Sequence, residues 1–144
     1  MPADAAGEAA RFAVIAPFAV QMRFSDTDRL GHVNNAVYAT YAETARLAFL
    51  AELGMTDRGL ILARLAIDFV RQVRLGDECE VGTRVVRIGN TSFTLSQTLR
   101  AGGEVAAEVE AVLVCFDYET QRPIRVPDDF RTALAGSGSA GGRG

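Results

Sequence analysis

Residues that can do chemistry are concentrated at the start of the stretch SDTDRLGHVNNAVYATYAETARLAFL, which runs from Ser25 to Leu50. Asp26 and Asp28 bring two carboxylates, and the chain's single histidine follows before a run of helical spacing. A carboxylate can act as a nucleophile or as a general base for water. A helix N-terminus presents unpaired N–H groups and the positive end of the helix dipole, so it suits an oxygen that becomes negative. An acid and a helix start therefore lie close together along the chain.

Each of these residues also has a structural interpretation. An aspartate such as Asp28 can close an Asx turn, and Asp26 is expected to be a partner within the turn. Asn34 or Asn35 is a good N-cap, because an asparagine side-chain oxygen accepts from the first free N–H groups of a helix. His32 can make a loop hydrogen bond. These structural roles and the chemical ones remain open alternatives.

One long helix is predicted after the asparagines. Apolar residues recur there at three- and four-residue spacing, and Gly54 supplies a stop signal. The residues of this apolar face are Tyr38, Tyr41, Ala42, Ala45, Phe49 and Leu53. The helix is expected to be buried, with its alanines allowing other elements to approach closely.

Strands are predicted on both sides of this helix. Residues 18–24 alternate as a first strand, and four strands with tight turns follow between residues 64 and 118. Gly89-Asn90 and Gly102-Gly103 mark turns, and hairpin-linked strands form antiparallel sheets. A short helix is predicted over residues 127–134. The pattern predicts an α+β domain whose sheet covers one long helix.

The length of 144 residues fits one domain. We expect a flexible N-terminal tail over 1–16, a single domain over 17–134 and a flexible Gly/Ser-rich tail over 135–144. No apolar run approaches the about 20 residues that span a bilayer, and no secretory signal is evident, so a cytoplasmic protein without membrane association is predicted. The net charge of −3 argues against nucleic-acid binding.

Other reaction types are disfavoured by composition. The 15 basic residues are all arginine, so no lysine can form a Schiff base. Cys79 and Cys115 lie in separate strand-like segments without a metal-binding spacing, which predicts neither a metal site nor a disulfide. Two small buried thiols are the expected result.

The stretch from Arg23 to Arg46, RFSDTDRLGHVNNAVYATYAETAR, resembles the signature of hotdog-fold acyl-CoA thioesterases of the 4-hydroxybenzoyl-CoA thioesterase type. Its features are a D-x-D pair, then a glycine, two asparagines and a tyrosine-containing helix. The order of elements from about residue 18 to about residue 130 is similar too. The resemblance implies a hotdog fold, in which a curled antiparallel five-stranded sheet wraps around one long helix.

The resemblance also implies roles for individual residues. Asp28 matches the catalytic carboxylate of the family, acting as nucleophile or general base, and the backbone N–H near Asn35 matches its oxyanion donor. Glu43 is the second-choice acid, because some hotdog thioesterases carry their carboxylate on the helix. Substrate-binding positions are expected at His32, Asn34, Tyr38, Arg87 and Ser92.

The implied reaction is hydrolysis of an acyl-CoA or acyl-carrier thioester, with no metal or cofactor apart from the coenzyme A of the substrate. A homodimer or homotetramer is expected, because an open edge strand is normally covered. Two alternatives are an acyl-thioester hydratase or dehydratase, whose expected Asp-x-Asn-Pro-x-His pattern is missing, and a non-catalytic acyl-CoA-binding module. The acyl group and the choice between nucleophile and base stay open.

Overall fold

The computed structural model describes residues 17–55 and 59–143, with side chains described up to residue 136. In chain order the elements are β1 (Phe18–Val20), a 3-10 turn (Phe24–Asp26), α1 (Asn35–Glu52), β2 (Leu60–Phe69), β3 (Cys79–Ile88), β4 (Ser92–Ala101), β5 (Glu104–Asp117), β6 (Arg122–Pro123) and α2 (Asp128–Arg143). The long helix thus begins directly after the segment that holds Asp28, His32 and Asn34.

The strands form one antiparallel sheet in the order β1-β3-β4-β5-β2, and β6 pairs with β5. Gly102 and Gly103 join β4 to β5 with φ angles of 58° and 83°, as a two-residue hairpin turn requires. The predicted α+β class is confirmed. The sheet has six strands rather than five because the two-residue β6 adds to the predicted set.

α1 lies against the sheet, and apolar side chains form a core cluster at each end of it. The cluster beside the start of the helix includes Val33, Tyr38, Tyr41, Val73 and Cys79. The cluster beside its end is built from other residues, among them Phe49, Leu50, Val85, Phe93 and Phe130. The beginning of β3 therefore lies near the start of α1, and the β3–β4 turn lies near its end.

Both ends of α1 are capped as the sequence predicts. The side chain of Asn34 accepts a hydrogen bond from the Ala36 N–H at 2.9 Å. At the other end Gly54 has a φ of 73°, its N–H donates to Ala51 O, and the Met55 N–H donates to Leu50 O. This is the Schellman arrangement, which satisfies the last carbonyl groups of a helix.

Several element boundaries differ from the prediction, and β2, for example, begins at Leu60 rather than near residue 64. The first strand is Phe18–Val20 rather than 18–24, because the chain turns at Phe24–Asp26, where the Asp26 carboxylate accepts the Arg23 N–H. The last helix continues through Arg143, beyond the predicted end at residue 134. Glycine is a poor helix former, which is why the composition after residue 134 indicated a tail. The predicted tail over residues 1–16 lies outside the described residues, which begin at residue 17.

No helix in the described part of the chain is long and apolar enough to cross a membrane.

Candidate functional site

A tight hairpin precedes α1 and carries Asp28. The Asp28 N–H donates to His32 O at 2.7 Å, the Gly31 N–H donates to Asp28 O at 3.2 Å, and Thr27 pairs with Val33. Gly31 has a φ of 80°, so this is a short hairpin loop that ends in a left-handed residue. The hairpin leads directly into the N-cap of α1.

The Asp28 carboxylate is exposed, and one of its oxygens is held by this hairpin. Oδ1 accepts the Leu30 N–H at 2.8 Å and the His32 N–H at 3.1 Å. The hydrogen bond from His32, followed by that from Leu30, lowers the pKa of Asp28 below its ordinary value. Oδ2 makes no recorded hydrogen bond within residues 17–55 and 59–143. Asp28 thus combines the predicted Asx-turn role with an ionised oxygen that is free to meet a substrate.

The start of α1, seven residues after Asp28 in the chain, offers a free backbone donor. The Asn34 N–H donates to Asp26 O at 2.9 Å, and the Ala36 and Val37 N–H groups are bound by the side chain and carbonyl of Asn34. Asn35 is exposed, and its N–H has no recorded partner in the part of the chain that the structure describes. This N–H lies at the positive end of the helix dipole, so it can donate to an oxygen that becomes negative.

The segment of residues 71–75, after β2, supports the hairpin. The Val33 N–H donates to Val73 O at 2.7 Å, and the Leu75 N–H donates to Gly31 O at 2.9 Å. His32 pairs with Arg74 through the backbone. The sequence carries no signal for this support, because backbone groups rather than distinctive side chains make the contacts.

Tyr38 fastens the same segment to α1. Its ring is 3% exposed and meets Phe69 edge to face, with 5.1 Å between the ring centroids. Its hydroxyl donates to Arg71 O at 3.0 Å and accepts the Val73 N–H at 3.1 Å. Burial raises the pKa of Tyr38. Both hydrogen-bonding functions of its hydroxyl are therefore used inside the protein, next to the predicted substrate site.

The fold does not bring all of the other predicted site residues close to Asp28. His32 and Asn34 lie between Asp28 and Asn35 in the chain, whereas Glu43 lies on the exposed face of α1. Arg87 and Ser92 lie beside the β3–β4 turn, with the core cluster at the other end of the helix. At about 3.3 Å per residue, Arg87 is about 26 Å along β3 from Cys79, which packs near the helix start. Within the chain these two residues are therefore remote from Asp28.

Neither cysteine is available as a nucleophile at neutral pH. Both are buried and unpaired. Burial raises the pKa of Cys79 to about 11 and also raises that of Cys115, so both thiols stay protonated at neutral pH. Across the described ranges, no three or more His, Cys, Asp or Glu side chains form a group that could hold a metal ion.

Gly31→Ala is expected to lower the free energy of unfolding by about 1–2 kcal/mol, because an alanine is strained at positive φ. A Cβ at this position meets no atom within 4 Å, so the cost is conformational rather than steric. Distortion of the hairpin should also loosen the N–H groups that hold Asp28. Urea unfolding measures the effect. Gly31→Asn is the matched control, since asparagine tolerates this conformation; equal stability losses in both variants would contradict the explanation.

Comparison with known proteins agrees with this architecture. The family model described as the thioesterase-like superfamily matches residues 22–134. A crystallised thioesterase from Thermus thermophilus, complexed with coenzyme A and Zn, is 36% identical with a TM-score of 0.76, covering 85% of this chain and 97% of that one. Acyl-CoA thioesterase YbgC from Haemophilus influenzae is 26% identical over 81% of this chain and 92% of its own. Long-chain acyl-CoA thioesterase FadM from Escherichia coli is 28% identical over 80% and 93%.

Proposed function

The chain belongs to the thioesterase-like superfamily, and we propose that it hydrolyses an acyl-CoA thioester to the free acid and coenzyme A. The observation that carries this proposal is an exposed, ionised carboxylate at Asp28, held by a hairpin that leads directly into the start of α1, where Asn35 is the first helical residue. The names of YbgC and FadM support acyl-CoA as the substrate class. An acyl-carrier thioester presents the same bond and is the second substrate to test.

In the proposed reaction the thioester carbonyl oxygen accepts the Asn35 N–H, which stabilises the negative charge that develops there. With Asp28 as general base, its Oδ2 takes a proton from water, the water oxygen bonds to the carbonyl carbon, and the C–S bond breaks. The proton then neutralises the departing thiolate. With Asp28 as nucleophile, Oδ2 bonds to the carbonyl carbon and the C–S bond breaks, which leaves an acyl anhydride and releases the thiolate. Water then hydrolyses the anhydride to the free acid and the Asp28 carboxylate, and the proton from that water neutralises the thiolate. Both routes consume one water and give one acid and one thiol.

We further propose that the working enzyme is a homodimer or homotetramer. β2 is an edge strand of the sheet and exposes the large apolar side chains Leu62, Leu65 and Phe69. Proteins normally cover such an edge, and a second copy of the chain is the occupant we propose. A partner subunit also offers a way for Arg87 and Ser92 to approach a thioester bound at Asp28. A cytoplasmic location and a metal-free, cofactor-free reaction stay predictions.

Within the same proposal, His32 and Asn34 contact the substrate beside the two reacting groups, and Tyr38 shapes the floor of the site. His32 is partly exposed and Asn34 exposed, whereas Tyr38 is buried and joined to residues 71–73. Glu43 remains the second-choice acid, since its side chain is exposed on the helix.

The pH dependence of kcat/KM should reflect the lowered pKa of Asp28. Its ionised form is the active one and persists down to a pH below the ordinary value of 3.8, so kcat/KM should not fall on the acid side between pH 8 and pH 5. Initial rates of thiol release across this range measure the profile, with uncatalysed hydrolysis subtracted. An acid limb near pH 6.5, the ordinary pKa of histidine, would contradict Asp28 as the group that must be ionised.

The proposed function is tested by thiol release from a panel of short, medium and long aliphatic acyl-CoA esters, aromatic acyl-CoA esters and acyl-carrier-protein thioesters. We expect catalytic turnover of at least one CoA ester. Consumption of an enoyl ester by hydration without thiol release would instead indicate a hydratase. Binding of acyl-CoA without any turnover would indicate a binding module.

A further inference from the structure

We infer that Asp26 and Tyr41 are positioning residues for this reaction: their buried hydrogen bond fixes the Asp28 hairpin against the side of α1. The inference rests on the proposed function for its kinetic consequence. Neither residue is exposed enough to meet a substrate, since Asp26 is 2% exposed and Tyr41 is 3% exposed. Their effect must therefore reach the substrate through the groups they hold.

The side chain of Asp26 is fully engaged inside the protein. Its Oδ2 accepts the Tyr41 hydroxyl at 2.8 Å and the Arg23 N–H at 2.9 Å. Its Oδ1 accepts the Arg23 guanidinium at 3.1 Å. A buried carboxylate is costly to keep ionised unless it is paired and hydrogen-bonded, and these three donors meet that need.

The backbone of Asp26 makes the second half of the connection. Its carbonyl accepts the N–H of Asn34, the N-cap of α1, at 2.9 Å. Asp26 is thus tied both to the start of the helix and, through Tyr41, to a point about two turns further along it at 3.6 residues per turn. The hairpin that carries Asp28 lies in the chain between Asp26 and the two residues that hydrogen-bond to it, Asn34 and Tyr41. A shift of Asp26 would change the position of Asp28 relative to the Asn35 N–H.

The protonation states suit this role. Burial raises the pKa of Asp26, but the hydrogen bonds from Arg23 and Tyr41 outweigh it and hold the pKa below the ordinary value. Burial and the adjacent Asp26 carboxylate raise the pKa of Tyr41. At neutral pH the phenol is therefore the donor and the carboxylate the acceptor of this hydrogen bond.

The experiment compares Tyr41→Phe, which deletes one buried hydroxyl, with Thr83→Val, which deletes another. Thr83 is 8% exposed, and its Oγ1 accepts from Gln97 between α1 and the sheet, away from the hairpin. Steady-state kinetics on the best acyl-CoA ester should show kcat about tenfold lower in Tyr41→Phe with KM within twofold, since small misplacements of reacting groups are costly. Thr83→Val should keep kcat within twofold of the wild type.

Amide hydrogen exchange provides a readout that does not depend on activity. The N–H groups of Leu30, His32 and Asn34 should exchange at least about tenfold faster in Tyr41→Phe than in Thr83→Val, at equal thermal stability. Unchanged exchange in Tyr41→Phe, or an equal fall of kcat in both variants, would overturn the inference. If the wild type cleaves no thioester, the proposed function fails, and the exchange rates still decide whether Asp26 and Tyr41 hold the hairpin.

Discussion

Asp28→Asn is expected to lower kcat for acyl-CoA hydrolysis by at least about a hundredfold, the usual minimum for losing a catalytic base or nucleophile. An asparagine Oδ1 can still accept the Leu30 and His32 N–H groups that the aspartate binds, so the hairpin should keep its shape. Only the charge is lost, and an amide can neither attack the carbonyl nor take a proton from water. Thiol release at saturating substrate measures the change.

Asp117→Asn is the matched control for this variant. The Asp117 Oδ1 accepts the Glu119 N–H at 2.8 Å and the Thr120 N–H at 3.3 Å, which is the same kind of loop contact. It lies at the end of β5, whereas Asp28 precedes α1. We expect its kcat to stay within twofold of the wild type. If Asp28→Asn retains wild-type activity, the acid lies elsewhere, and Glu43→Gln is the next variant.

Gln97→Leu is expected to destabilise the fold by about 3 kcal/mol, because it leaves a buried guanidinium without its acceptor. Arg46 is 4% exposed, and its NH1 donates to Gln97 Oε1 at 3.1 Å. The amide of Gln97 in turn donates to Ala42 O at 2.8 Å and to Thr83 Oγ1 at 3.0 Å. Burial lowers the pKa of Arg46, because removal from water disfavours the charged form of the guanidinium. Urea unfolding at a fixed protein concentration measures the loss, since subunit association would add to apparent stability.

The double variant Arg46→Met with Gln97→Leu is the test of this explanation. Replacing both members of a buried polar pair with apolar groups of similar size is often neutral or stabilising. We therefore expect the double variant to recover most of the stability that Gln97→Leu loses. A double variant less stable than Gln97→Leu would contradict this explanation. It would show that the stability loss of Gln97→Leu comes from poor packing of the leucine and not from the unpaired Arg46 guanidinium.

The signals that predicted the site are local in the chain. Asn34 precedes a helical spacing and caps it, and Gly54 ends the helix, because capping depends on residues within a few positions of each end. The sequence predicts different roles for Asp26 and Asp28, but it does not predict that one is buried and the other exposed. Both lie in a turn, but the burial of Asp26 and the exposure of Asp28 follow from where the helix and the 3-10 turn pack.

The contacts that the sequence could not predict join distant segments. Support of the hairpin by residues 71–75 uses backbone groups, which carry no residue signature. The burial of Arg46 has a weak signal, because it lies at helical spacing from Ala42, Phe49 and Leu50 on the buried face, yet an arginine there usually indicates a surface. The separation of Arg87 and Ser92 from Asp28 depends on strand register, which pattern alone does not fix.

The most direct test of the site is a crystal structure with an acyl-CoA analogue in which a methylene group replaces the thioester sulfur, so that no hydrolysis can occur. We predict the ketone oxygen within about 2.7–3.1 Å of the Asn35 N atom. The ketone carbon should lie within about 3.5 Å of Asp28 Oδ2 or of a water bound to it. A ketone bound elsewhere, such as in the cavity of about 280 Å³ lined by Ala45, Ala48 and Val81, would contradict the assignment of Asp28 and Asn35 to the reaction.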